Sequence, residues 1–304
     1  MSVQFSLSAD HAGRRVDRVL RVIWKDIPLG VIMKALRTGG VRLDGKKTAG
    51  DQRVQEGQIL YVPWDLPEKN VVANKETKKL PLLQTLYRDE ALWCINKEPG
   101  VLTQPNAAAG DSLITRVWNE LEWDRVDFRP ACVHRLDRNT SGVVMVALTG
   151  GCLRLLTELL REQRIKKIYW AIVEGIIPER GSVELALRKD GDKNQVFPDK
   201  AGESALTHFK RLSVASNCSL VELELVTGRA HQARAHMAAI GFPILGDVKY
   251  GKGSPSYRVG RPFLHAYSVL FPEVKELGML SGKQVTAPLF PDMDLFIQNS
   301  MKNT

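Results

Sequence analysis

The chain has 304 residues, 44% of them hydrophobic and 25% charged, which are ordinary globular values and far from those of disordered, collagenous or fibrous chains. No apolar run nears the roughly 20 residues of a bilayer crossing, and the scattered Cys94, Cys132, Cys152 and Cys218 speak against a disulfide framework or a structural zinc. Lysine and arginine number 43 against 34 acids, and the resulting net charge of +9 favours a polyanionic partner. The segment from Met1 to Arg15 lacks the basic end and apolar stretch of a secretory signal, so a cytoplasmic location is expected.

In chain order, the charge concentrates first. Between Ala12 and Tyr61 stand 11 basic residues and five acids. In GRRVDRVLRVIWKD the residues Val16, Val19, Leu20 and Ile23 fall at helical spacing and leave Arg14, Arg18, Arg21 and Lys25 on the wetter side. A second helix, Leu29 to Arg37, should stop at Gly39 and Gly40. VRLDG and GQILYV read as short strands joined by a turn at Asp44-Gly45. A solvated basic surface would look the same residue by residue, but the full order resembles the RNA-binding domain first seen in the fourth small-subunit ribosomal protein. That resemblance implies that Lys34, Arg37, Arg42, Lys46 and Lys47 contact RNA phosphates, which positions a substrate without reading sequence.

The proline-rich, charged stretch from Pro63 to Pro81 has no sustained period and reads as a linker. The expected organisation is a basic module over 1–62, a linker over 63–81 and a larger domain over 82–304. LLQTLYRDEALWCINKEPG reads as strand, turn and strand, and Asp111 is placed to cap the helix SLITRVWNEL. VVMVALT suits a strand covered on both faces, and CLRLLTELLREQ a helix feeding the strand KKIYWAIVEG, closed by Gly175. VELELVTG alternates apolar and acidic residues, a strand with one wet face, and the helix AHQARAHMAAI should end before Gly241. Strands and helices mix without a regular βαβ repeat, so the expected class is α+β with a largely antiparallel sheet.

No Walker loop, G-x-G-x-x-G, G-x-S-x-G or H-E-x-x-H occurs, and His231 and His236 lack the intervening Glu of a zinc helix. Neither a cofactor nor a metal is expected. A polar cluster remains: His134, Arg135, Asp137, Arg138, Asn139, Thr140 and Ser141, directly before the buried-type strand. A loop on such a scaffold suits function, although Asp137 and Thr140 could equally satisfy backbone amides of a plain polar loop.

HRLDRNTSG matches H-R-L-D-x-x-T-S-G, the signature of the RluA-type pseudouridine synthases, at every fixed position. Three segments agree in the same order: Lys167-x-Tyr169-x-Ala171-x-Val173-x-Gly175, TGRAHQARAHMAAIGFPILGDVKYG, and RPFLHA. Two departures stand out: Asn96-Lys97-Glu98-Pro99-Gly100 replaces N-K-P-x-G, which bears on the shape of that turn, and Ala230, Ala233 and Ala235 replace larger residues, which bears on local packing. The resemblance implies an enzyme that isomerises uridines in structured RNA, with ribosomal RNA of the large subunit as the expected target. It makes Asp137 the carboxylate acting at the ribose, as nucleophile or base, Arg229 its arginine partner, and Tyr169 the ring stacking on uracil. Arg135 would fill the stack left by the extruded base, while His134 and Thr140 fix the loop. A non-catalytic RNA clamp and a base-excising glycosidase are the competing readings. Nothing demands more than a monomer or an obligatory protein partner.

Overall fold

A computed structural model of the protein describes residues 3–66, 82–105, 110–123, 128–190, 195–251 and 259–301. The N-terminal part contains β1 (Val3–Ser6), α1 (Val16–Ile23), α2 (Leu29–Thr38), β2 (Arg42–Leu43), β3 (Lys46–Lys47) and β4 (Ile59–Val62). The periodic residues Val16, Val19, Leu20 and Ile23 are all buried, and each such burial is worth roughly 1.5–3 kcal/mol. They form a core of their own with Ile32, Leu36, Val41, Leu60 and Val62. Helix α2 ends as expected, on Gly39 in the left-handed conformation.

Asp44 and Gly45 both have positive φ, the backbone of a two-residue hairpin turn. That turn joins β2 to β3, whereas the expectation had it joining β2 to GQILYV. GQILYV instead forms β4, which pairs with β2 on its other edge and carries β1 on its far side. Of the expected linker, residues 63–66 lie on this core: Trp64 packs against it, and Trp24 Nε1 donates to the Asp65 carbonyl at 2.8 Å. The remainder, 67–81, lies outside the described residues.

The larger part runs β5 (Thr85–Arg88), β6 (Leu92–Lys97), α3 (Leu113–Glu120), β7 (Ala131–Cys132), β8 (Ser141–Ala147), α4 (Gly150–Arg161), β9 (Lys166–Glu174), β10 (Arg180–Glu184), β11 (Leu187–Asp190) and β12 (Gln195–Pro198). It continues with β13 (Leu206–Ala215), β14 (Cys218–Leu225), α5 (Gln232–Ala239), β15 (Leu264–Leu270), β16 (Gln284–Thr286) and α6 (Pro291–Met301). The main sheet has the order β10-β13-β14-β9-β15-β8-β6-β5, with β16 added on β15 and β7 on β8. Its pairs are antiparallel except β8 with β15. The class is α+β, mixed and largely antiparallel.

Strand β8 is buried along its whole length because both faces of the sheet are covered. Val144 and Val146 face a core built with Leu113, Val117 and Met237 of α3 and α5, while Val143 and Met145 face Leu156 and Leu159 of α4. Helix α3 is capped by Ser112, whose hydroxyl and backbone form a reciprocal capping box with Thr115. The expected cap, Asp111, pairs instead with Arg116 at 2.7 Å. A carboxylate one residue too early can reach along the first turn but not to its free amides.

Candidate active site

The loop 133–140 between β7 and β8 carries the polar cluster, and its backbone is held from three sides. Thr103 Oγ1 donates to the Leu136 carbonyl at 2.8 Å and accepts from Leu136 N at 3.0 Å. Lys97, 1% exposed, donates Nζ to the carbonyls of Glu98, Val101 and Arg138 at 2.8, 2.9 and 3.1 Å. Arg261, itself in a bidentate pair with Asp292, donates to the Asn139 carbonyl at 3.3 Å. Thr140 N bonds back to the Asp137 carbonyl at 3.2 Å, and His134 Nε2 accepts from Met145 N at 3.2 Å. Burial drives the His134 pKa down to about 4, so the ring is neutral and free to accept. His134 thus ties the loop to β8, whereas the bond at Thr140 is made by its backbone.

The Asp137 carboxylate emerges from this frame into a cleft of about 60 Å³, lined also by Arg135, Tyr169, Arg229, His231 and Arg234. Arg234 Nη1 donates to Asp137 Oδ2 at 3.0 Å. The same guanidinium spends Nε and Nη2 on Asp247, at 2.7 and 2.8 Å, whose side chain is completely buried. Burial works to lower the Arg234 pKa, but the bonds and charges of Asp247 and Asp137 outweigh it and hold the group above its ordinary value. A fork already fixed by one carboxylate presents its remaining N–H to the other in one direction only.

His231 stands beside the pair, Nε2 to Asp137 Oδ1 at 3.7 Å. Its Nδ1 meets the Tyr250 hydroxyl at 2.8 Å, and that hydroxyl also accepts from Val196 N at 2.9 Å. Burial lowers the His231 pKa, against the pull of Asp137.

Tyr169, on β9, is 8% exposed and contributes to the apolar wall of the cleft with Leu225 and Leu264. Burial, and secondarily the Asp137 charge, raise its pKa, so the phenol is un-ionised. Arg135 is exposed at the rim.

The expected pairing of Asp137 with Arg229 is not what the fold makes. Arg229 lines the cleft, yet its guanidinium pairs with Glu203 and donates Nε to the Ser204 carbonyl at 3.0 Å. The reason lies in where α5 begins. His231 takes a left-handed conformation, φ 51°, so the helix starts at Gln232. Gln232 Oε1 accepts from Arg229 N at 3.0 Å and holds Arg229 before the helix, while Arg234, the third residue of the helix, meets Asp137. Both arginines were visible in TGRAHQAR; a non-glycine residue at positive φ was not. Asp247 and Tyr250 were equally hidden, because their distance in sequence says nothing of their contact with Arg234 and His231.

The remaining expected contacts, Lys34 and Arg37 on α2, Arg42 on β2 and Lys46 and Lys47 on β3, are all exposed on the small N-terminal sheet and helix. Arg42 and Lys47 are cross-strand partners, and like charges opposite one another are unfavourable without an anion.

Comparison with known proteins follows this geometry. Residues 91–239 match the family described as RNA pseudouridylate synthase. "Ribosomal large subunit pseudouridine synthase C" of Buchnera aphidicola is 31% identical, over 95% of this chain and 93% of the relative. The protein of the same name from Pasteurella multocida is 33% identical, over 95% and 90%. Among solved structures, "Human RNA Pseudouridylate Synthase Domain Containing 4" superposes with a TM-score of 0.58 at 22% identity, covering 71% of this chain and 92% of the other. That likeness is one of fold.

Proposed function

The chain belongs to the RNA pseudouridylate synthase family, and from that premise we propose that it isomerises uridines of large-subunit ribosomal RNA with Asp137 as the reacting carboxylate. The observation that carries the reading is the ion pair of Asp137 with Arg234 at 3.0 Å, in the cleft that Tyr169 also lines. The target follows the names of the two bacterial relatives. The reaction breaks the bond from C1′ to N1, turns the uracil and joins C1′ to C5. The proton lost from C5 is balanced by one gained at N1, so no oxidant, reductant or water is consumed.

Asp137 acts at the ribose, as nucleophile or base, and both routes need an ionised, oriented carboxylate. Arg234 supplies that orientation. Tyr169 stacks on the uracil and keeps water from the detached base. The cleft of about 60 Å³ admits part of one heterocycle and not a folded RNA, so the nucleotide must leave its stack at a cost of a few kcal/mol. Arg135, at the rim, fills the vacated place with a planar guanidinium. Arg229, displaced from the carboxylate, contacts RNA at the cleft entrance.

Residues 1–62 act as an RNA-anchoring module resembling that of the fourth small-subunit ribosomal protein, with Lys34, Arg37, Arg42, Lys46 and Lys47 on phosphates. Residues 63–81 are its linker and 82–304 the catalytic domain. The protein works as a cytoplasmic monomer. Asp137→Asn should abolish pseudouridine formation in ribosomal RNA transcripts while leaving RNA affinity within a few fold. A wild-type protein that binds RNA but forms no pseudouridine would identify a clamp, and release of free uracil would identify a glycosidase.

A further inference from the structure

The basic side of α1 is not absorbed by this site. Arg14 and Arg18 project from the N-terminal part toward the larger one, where they meet Arg129, just before β7, and Arg154 of α4, across a cleft of about 680 Å³. Arg53 completes the wall, and among the described residues that line it none is acidic. Arg18, Arg53, Arg129 and Arg154 are exposed there, and like charges gathered from two parts of a chain repel, a repulsion that an entering anion relieves.

The crowding is built in. Asp10 Oδ1 accepts from Gly150 N, the first residue of α4, at 2.6 Å, and the Asp10 carbonyl accepts from Arg154 Nη1 at 3.1 Å. A Cβ on Gly150 would lie 2.7 Å from the Asp10 carbonyl oxygen, so this junction requires glycine. Arg53 Nη1 donates to the Gly13 carbonyl at 2.6 Å, and the Arg129 guanidinium lies 3.5 Å over the Trp118 ring. Three of the arginines are therefore held before any ligand arrives, which lowers the ordering cost of binding. Burial, and then the charges of Arg154 and Arg18, lower the Arg14 pKa against the opposing pull of the Asp10 carboxylate.

We propose that the arginine-lined cleft between α1 and α4 is a second RNA site, which grips the phosphodiester backbone flanking the uridine engaged at Asp137. Guanidinium forks match phosphate oxygens, and the lining offers them without an exposed aromatic platform for bases, Phe128 being buried. Strand β8 runs from the Asp137 loop at Ser141 to Ala147, roughly 20 Å at about 3.3 Å per residue, and the chain enters α4 at Gly150, on the sheet face opposite α5. Several nucleotides bridge that span. The proposal rests on the reading of this chain as an RNA enzyme, and it gives the N-terminal part a gripping surface distinct from α2 and the β2–β3 turn.

The test compares full-length Arg14→Gln/Arg18→Gln/Arg154→Gln with Arg21→Gln/Arg161→Gln/Arg164→Gln, which removes the same charge from exposed positions outside the cleft. A G·C RNA duplex without uridine reads binding alone, and a large-subunit ribosomal RNA transcript reads pseudouridine formation. The cleft variant should bind the duplex at least tenfold more weakly, with the dependence of log affinity on log salt shallower by roughly 2–3, from about 0.7–0.9 for each of three lost phosphate contacts. The control should stay within threefold of wild type. A cleft variant that tracks the control overturns the proposal. If wild type forms no pseudouridine yet the cleft variant loses duplex affinity, the enzymatic reading fails and the cleft stands; turnover with an indifferent cleft variant gives the reverse. Should the triple variant melt early, Arg18→Glu alone should still weaken binding fivefold, and unchanged affinity sinks the idea.

Discussion

Arg234 serves two carboxylates at once, a bidentate pair with the buried Asp247 and a single bond to Asp137. The two jobs can be separated. Arg234→Gln strands a buried carboxylate, which typically costs about 3–5 kcal/mol of stability, and it also releases Asp137. Arg234→Gln/Asp247→Asn removes the stranded charge, so most of the lost thermal stability should return while kcat stays at least 100-fold below wild type. Arg229→Gln should alter kcat less than tenfold and act mainly on KM, because its guanidinium bonds to Glu203 and Ser204. Steady-state kinetics of the three variants on a ribosomal RNA transcript decide the matter. A kcat loss confined to Arg229→Gln would restore the pairing expected from the sequence.

Among elements, the parallel contact of β8 with β15 is what delivers the Asp137 loop to the cleft. It is tight: Gly142 has φ of 112°, and a Cβ there would fall 2.2 Å from the Ala266 carbonyl oxygen. His265 fastens the same junction, with Nδ1 on Ser141 Oγ at 2.9 Å and Nε2 on the Ala287 carbonyl at 3.2 Å. A neutral ring donates to the carbonyl and accepts from the serine. Burial lowers its pKa to about 4, below the roughly 6.5 of an unfolded histidine. The unfolded chain thus binds the proton first, so the stability this group contributes is complete above pH 6.5 and is lost as pH falls toward 4, up to about 3 kcal/mol. Urea unfolding at pH 7 and 4.5 should show the advantage of wild type over His265→Gln shrinking at the lower pH. Parallel pH profiles would rule the mechanism out.

At the scale of the molecule, the residues of β1 to β4 carry a core separate from those of the large sheet, and Asp10 pins it to the start of α4. Removing residues 1–62 should therefore weaken binding to a folded ribosomal RNA at least tenfold, while the single-turnover rate at saturating RNA changes less than fivefold. Filter binding and quench-flow on the same preparation separate the two, and an unaltered affinity would defeat the anchoring role.

The sequence by itself determined the local structure and the chemical parts: the helical faces, the doubly covered strand around Val144, the Gly39 stop, and the carboxylate, phenol and arginines in HRLDRNTSG, KKIYWAIVEG and TGRAHQAR. These depend on periodicity and on residue type, which act over a few positions. The Ser112–Thr115 capping box is likewise local, although the reading from the sequence put the cap on Asp111. Tertiary structure alone decided which arginine meets Asp137 and that Arg14 and Arg18 look onto α4. An ion pair is settled by where two backbones bring their side chains, here 97 residues apart, and a single left-handed residue at His231 suffices to redirect it.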